Sequence, residues 1–327
     1  MKICLSVFCL FFFLSCSSEI EPESSDKDSL SIAADSAEEF DVFIEVLGTV
    51  QDGGSPHIGC KKNCCKELFE EPDPTRQVVC LGVIDRMDEQ SFLFEATPDI
   101  SRQMKKLKQD RNFGESENPD GIFLTHAHIG HYAGLVYLGK EALNAQKVPV
   151  YAMPKMKGFI EDNAPWNQLV VDSNIVLYPL QNEESQQLTT QLEVTPFLVP
   201  HRDELSETVG YLISGPEKKA LFIPDINKWD IWEKDIRNEI EKVDYAFIDA
   251  TFYDENELTN RNMSEIPHPF IVESMALFEP LPAEEKQKVY FIHLNHSNPA
   301  LDRKSEAFQT IKDNGFKVAL YGQRFKL

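Results

Sequence analysis

The stretch Thr125-His126-Ala127-His128-Ile129-Gly130-His131 constrains this chain more than any other. Gly121-Ile122-Phe123-Leu124 leads into it as a short apolar run, which reads as a buried strand ending at Thr125. The residues from His126 onward read as a loop opening into a helix. Histidines two apart at a strand end can converge on one point just beyond the sheet. Converging neutral imidazoles make a site for a zinc-like metal.

The N-terminal segment stands apart from the fold. Lys2 precedes an apolar run from Ile3 to Leu14, too short to span a membrane and flanked like a secretory signal. Leu14-Ser15-Cys16 resembles a bacterial lipobox, which implies residues 1–16 as a lipoprotein signal and Cys16 as the lipidated residue. Residues 17–40, rich in Ser, Glu and Asp, read as a disordered acidic tether. The expectation is an exported protein held to a membrane, the outer one, by its lipid alone, with its domain in the periplasm or at the cell surface. Ser17 and Ser18 supply no acidic residue of the kind that retains a lipoprotein at the inner membrane.

Residues 41–327 are then long enough for a single domain with a sizeable core. The formal charge of −22, from 32 basic and 54 acidic residues, and the lack of a basic patch argue against a nucleic-acid partner. A small molecule, including an anionic one held by a metal, fits better.

Of seven cysteines, Cys60, Cys64, Cys65 and Cys80 fall in the domain. An exported chain can oxidise such thiols. Cys64 and Cys65 are neighbours, however, and a bond between neighbours is strained, so a structural zinc competes with a disulfide in the segment His57 to Cys65. Cys80 lies inside an apolar run and reads as core.

Apolar runs and amphipathic stretches then alternate along the chain. Strands are expected over Phe40–Gly48, Val78–Ile84, Ser91–Ala96, Val148–Ala152, Asn174–Leu180, Leu192–Val199, Val209–Ile213, Lys219–Asp225, Asp244–Asp249, Val289–His293 and Val318–Tyr321. Helices are expected over Asp99–Lys108, Leu135–Ala145, Met156–Asp162, Asp230–Glu241, Phe270–Leu277 and Asp302–Asp313. Asp225, Asp249 and His293 each end a strand, and His201 follows one. The pattern is α/β with a site at one edge of the sheets, and it suits a doubly wound sheet and a double-sheet sandwich equally.

The ordered set His126-x-His128-x-Gly130-His131, His201, Asp225 and His293 resembles the metallo-β-lactamase superfamily. The resemblance covers nearly all of residues 41–327 and implies an αββα sandwich with a metal site at one edge between the two sheets. His126, His128 and His201 would hold one metal, and Asp225 would bridge to a second held also by His131 and His293. A metal-bound water would then attack a carbonyl or phosphoryl centre. Zinc, iron and manganese all suit such ligands. The superfamily places an Asp where this chain has Gly130, so the second metal is expected to bind more weakly or not at all.

Leu47-Gly48-Thr49, Gly53-Gly54-Ser55-Pro56, the cysteine cluster, Thr97-Pro98-Asp99-Ile100, Asp249-Ala250-Thr251-Phe252 and Phe291 to Pro299 resemble the pyrroloquinoline quinone biosynthesis protein B family. Cyclic-phosphate phosphodiesterases share the cysteine cluster. These resemblances imply a structural zinc on Cys60, Cys64, Cys65 and His296. They also imply that His268 assists a leaving group, although His268 can equally be read as a loop histidine. Asp249 either partners a ligand imidazole or caps its strand.

The leading expectation is a metal-dependent hydrolase of a small phosphodiester or ester, with His268 and Asp225 in catalytic roles. The alternatives are an oxidative enzyme like the quinone-biosynthesis protein and a non-catalytic binding lipoprotein, the latter motivated by Gly130.

Overall fold

The computed structural model describes residues 40–258 and 262–327. The signal segment with Cys16, and the tether up to residue 39, lie outside the described residues. Among the described residues no helix is long and apolar enough to cross a membrane.

Two seven-stranded sheets form the centre. Strands β1 (Val42–Gly48), β2 (Cys80–Asp85), β3 (Gln90–Phe94), β4 (Gly121–Phe123), β5 (Val148–Ala152) and β6 (Ile175–Pro179) build most of the first. Strands β7 (Gln186–Gln187), β8 (Glu193–Leu198), β9 (Val209–Ser214), β10 (Lys219–Ile223), β11 (Tyr245–Asp249), β12 (Val289–Ile292) and β13 (Lys317–Val318) build the second. Strand β14 (Arg324–Lys326) returns to the first sheet beside β1, giving the order β14-β1-β2-β3-β4-β5-β6; the other sheet runs β13-β12-β11-β10-β9-β8-β7.

Alternation along the strands divides their side chains between layers. Val42, Ile44 and Val46 of β1 join Phe94, Phe123, Tyr211, Phe222 and Phe247 in a core between the sheets. Phe43 and Leu47 point the other way, onto Ile100, Met104 and Leu107 of the helix Ile100–Arg111. Ile223, Ile248 and Phe291 pack outward on Ile271, Phe278 and Ile311 of the helices Ile271–Phe278 and Glu306–Asp313. The layers are therefore α, β, β, α, the sandwich that the superfamily resemblance implied.

Topology decides where the site forms. β1 and β3 are each antiparallel to β2, and β3 and β4 are parallel. β8 and β10 are each antiparallel to β9, while β10, β11 and β12 run parallel. The C-terminal ends of β1, β3 and β4 in the first sheet, and of β8, β10, β11 and β12 in the second, thus leave at one edge, where ligands gather in such folds. Two contacts join the sheets there: the Tyr211 hydroxyl donates to the Leu124 carbonyl, and Val209 N donates to Thr125 O at 3.2 Å.

Several elements differ from expectation. Leu135–Ala145 is not an α-helix: Ala133–Leu138 is a 3-10 turn and the remainder irregular. Leu135, Leu138 and Ala145 reach the core, while Val136 and Leu143 stay exposed, so the apolar spacing never formed one helical face. A Cβ on Gly134 would lie 2.0 Å from the Thr97 carbonyl oxygen, which is how closely this turn packs. Asp230–Glu241 splits into a 3-10 turn at Trp229–Ile231 and a helix at Ile236–Glu241, which Asp235 caps through Arg237 N. The last helix begins at Glu306 because Ser305 caps Phe308 N, and the strand expected at Val318–Tyr321 is Lys317–Val318. Cys80 is fully buried core, as expected.

β1 is buried on both faces, Glu45 included. Lys106 and Arg324 both reach Glu45, and Asp110 closes the cluster. Burial pushes the Glu45 carboxyl up to about 7, against the pull of Lys106. A carboxyl raised above its ordinary 4.5 binds its proton more tightly when folded. That stabilisation is full below the ordinary value and is lost as pH rises through the folded one. Glu45→Gln is therefore expected to flatten the decline of Tm between about pH 5 and pH 8. A variant whose Tm declines as steeply as wild type would contradict this role.

Candidate metal centre

The six residues of the sequence motif set meet at the sheet edge in two groups that share Asp225. His126, His128, His201 and Asp225 form one, and His131, Asp225 and His293 belong to the other. Their facing atoms are His126 Nε2, His128 Nδ1 and His201 Nε2, which lie 3.3, 3.8 and 3.3 Å from Asp225 carboxylate oxygens. His131 Nε2 and His293 Nε2 lie 3.8 and 4.0 Å from Asp225 Oδ2.

The remaining ring nitrogens are held by outer partners that sequence reading missed. His126 Nδ1 lies 2.9 Å from Thr125 Oγ1, which donates to Glu95 Oε1 at 2.6 Å. Glu95 Oε1 is also 3.1 Å from His131 Nδ1, so one fully buried carboxylate orients two imidazoles. His201 Nδ1 faces Asn227 Oδ1 at 3.1 Å, and His128 Nε2 accepts from Arg202 Nη2 at 2.9 Å. His293 Nδ1 meets Thr251 Oγ1 at 2.9 Å, and Thr251 donates on to Asp249 Oδ1 at 2.7 Å. Ligand imidazoles are commonly oriented in this way, with one nitrogen tied back and the other aimed at the ion. Glu95 carries the signal Asp225 does, a carboxylate ending an apolar strand.

Glu95 and His293 adopt left-handed backbone conformations, with φ of 90° and 65°. Such angles are costly for residues with a Cβ and persist where the surroundings fix them, as they do at functional sites.

Asp52 is the largest addition to the expected set. It comes from the loop after β1, and its Oδ1 lies 3.0 Å from His131 Nε2 and 3.1 Å from His293 Nε2. The second group is therefore Asp52, His131, Asp225 and His293, all close enough to share one ion. This corrects the expectation that Gly130 leaves that group with three donors.

His268 is brought to the centre rather than left in the loop. Its Nδ1 is 2.8 Å from Asp249 Oδ2 and 3.1 Å from Asp225 Oδ1. Burial pulls its pKa down, but Asp249 and Asp225 outweigh that and raise it to about 10. Asp249 thus serves His268 directly and His293 through Thr251. His126 behaves oppositely: burial, with His131 nearby, holds it well below the ordinary histidine range and therefore neutral.

The donor chemistry fits divalent metal. The carboxyl groups of Asp225, Glu95 and Asp249 are buried and that of Asp52 is largely so, and oxygen donors beside converging imidazoles suit a divalent ion. His126 Nε2 and Asp225 Oδ1 are buried and make no hydrogen bond, although other ring nitrogens and oxygens crowd around them.

A second cluster lies nearby. Cys60, Cys64, Cys65 and His296 offer four donor atoms within reach of one another, as the resemblance implied. Cys60 Sγ and Cys64 Sγ are 3.6 Å apart and unbonded, and Cys65 Sγ accepts from His57 N at 3.3 Å. Burial, helped by His57 and Lys62, lowers His296 to about 4, leaving a neutral imidazole. Its Nδ1 is occupied by Asn295 Oδ1 at 3.0 Å, which frees Nε2. Three thiols and an imidazole are a structural zinc set.

The beta-lactamase superfamily domain matches residues 90–294, more than half of the chain, and the chain belongs to that superfamily. Coenzyme PQQ synthesis protein B of Methylococcus capsulatus is 24% identical over 312 residues, covering 86% of this chain and 98% of the relative. Among solved structures, zinc-bound PqqB from Methylobacterium extorquens superposes with a TM-score of 0.72 at 22% identity, over 87% of this chain and 100% of that one. A diphosphatase from the PhnP family reaches 0.58 at 21% identity, over 87% and 96% of the two chains. Human tRNase Z, short form, reaches 0.52 at 15% identity, over 87% and 98%. These likenesses show the metallo-β-lactamase fold.

Proposed function

We propose that the chain is a metal-dependent hydrolase of a small phosphodiester or ester. The observation that carries this is the pair of four-donor groups sharing Asp225 beside the His268–Asp249 pair. His126, His128, His201 and Asp225 would hold one ion, and the group around His131 and His293 the other. Divalent metals bound there would acidify a water and polarise the scissile phosphoryl or carbonyl group. The chain's own residues do the rest. Asp225 contributes to both groups. Glu95, Asn227 and Thr251 hold the imidazoles in orientation. Asp249 and Asp225 keep His268 protonated, and His268 remains partly exposed, as a proton donor to a leaving group needs to be. Exposed Arg202, donating to His128, places a cationic group beside the centre and favours an anionic substrate.

His268→Asn tests this reading. It is expected to lower kcat by roughly 10²-fold on a substrate with a poor leaving group, with much less loss on an activated aryl ester. Metal content should stay as in wild type. Equal losses on both substrates would contradict proton donation by His268.

A second reading, an oxidative PqqB-like enzyme, is favoured by the likeness to PQQ synthesis protein B along most of the chain. Iron as the native metal with oxygen uptake would support it over hydrolysis. In either case, the proposal includes export as a lipoprotein anchored through Cys16, on the strength of Leu14-Ser15-Cys16. A Cys16→Ser chain should leave the membrane fraction.

A further inference from the structure

We propose that Asp52 and Gly130 form a ligand exchange: Asp52 supplies the carboxylate of the second metal group, and Gly130 is glycine so that Asp52 can enter. An ideal Cβ on Gly130 would lie 2.6 Å from each of Asp52 Cα, Cγ and Oδ1. No side chain fits at position 130 while Asp52 keeps this place, and the clash includes backbone, which cannot swing aside. The space beside His131 is thus already filled by a carboxylate that arrives from elsewhere in the chain. Its Oδ1 faces the same two nitrogens, His131 Nε2 and His293 Nε2, that face Asp225 Oδ2.

The loop carrying Asp52 is clamped to the strand exit that carries His293. Gln51 N donates to Leu294 O at 2.9 Å, and Leu294 N donates to Thr49 O at 2.8 Å. Beyond Asp52 the same loop runs through His57, which stacks on His296 with ring centroids 4.4 Å apart, into Cys60, Cys64 and Cys65. Asp52 is therefore held between the His293 turn on one side and the cysteine cluster on the other. A carboxylate fixed this firmly against two imidazoles is preorganised for an ion and need not fold in around it.

The assignment rests on reading the centre as a metal site, not on the reaction it performs. A chain that bound both metals and hydrolysed nothing would leave it standing. The test titrates zinc into the metal-stripped full chain by calorimetry, with metal per chain measured after dialysis. Wild type, Asp52→Ala, Asp52→Asn, Gly130→Asp and the double Asp52→Gly/Gly130→Asp are compared. Asp52→Ala and Asp52→Asn are expected to weaken one binding event by more than about 100-fold, beyond what loss of an outer partner costs, and to spare the others. Gly130→Asp alone should lose the same event, through the clash with Asp52. The double variant should regain it, because a carboxylate then reaches the same point from residue 130. Asp52→Asn keeps the shape of the side chain, so its loss of metal cannot be ascribed to misfolding if its circular dichroism matches wild type. Wild-type affinity in both Asp52 variants would overturn the assignment, and so would a double variant that binds no better than Asp52→Ala. A wild-type chain taking up no zinc at either histidine group would overturn the metal-site reading together with it.

Discussion

Asp225→Ala is expected to empty both histidine groups at once. Asp225 Oδ2 faces His126, His128, His131 and His293, and Oδ1 faces His201 and His268. No other residue belongs to both four-donor groups. Outer partners of metal ligands are each worth about 10–100-fold in affinity, so loss of a shared anionic ligand should exceed that at both ions. The variant also loses one of two carboxylates that keep His268 protonated. Hydrolysis should fall to background, and metal titration should show both weakened events together. His126→Ala, by comparison, touches the first group alone. Wild-type affinity for either ion in Asp225→Ala would contradict the bridging role.

Cys60→Ser should have a large effect of a different kind. A structural zinc contributes folding energy directly, and its loss is felt first where it ties distant segments together. Here Cys60 lies on the loop after β1, Cys64 and Cys65 lie in the short helix Asn63–Lys66 that follows it, and His296 lies on the turn after β12. Losing even about 3 kcal/mol of that contribution should lower Tm by roughly 5–10 °C. The layered core lies outside this loop, so the chain should still fold at room temperature and retain the first histidine group. A chelator-resistant Tm equal to wild type would show that the thiols bind no stabilising metal.

The histidine motif and the ordered aspartates were legible because they lie at or shortly beyond the ends of apolar strands, and parallel strands deliver their ends to one edge. The cysteine cluster was legible by its thiol density, although its spacing left the ligand choice to a resemblance. Asp52 was not legible. It sits in a turn-rich loop with no periodicity, and only the clamp between Thr49, Gln51 and Leu294 shows where that loop goes. Gly130 looked like a loss when read alone; its meaning depends on a residue far away in the chain. Glu95 could have been found by the strand-end rule that picked out Asp225 and Asp249. Asn227 and Thr251 could not, since their roles depend on which nitrogen of a neighbouring ring is already engaged. The helix expected at Leu135–Ala145 failed because burial of Leu135, Leu138 and Ala145 is achieved by tight turns rather than by one amphipathic face.

The central claim is that the chain holds separate structural and histidine-based metal centres. Metal content per chain, measured on wild type, Cys60→Ser and His126→Ala after dialysis, tests it most directly. Cys60→Ser is expected to lose the structural ion while keeping metal at the histidine groups, and His126→Ala to do the reverse at the first group. A chain whose bound metal disappears entirely with Cys60→Ser and is unchanged in His126→Ala would mean that the histidine centre binds none, and would contradict the account.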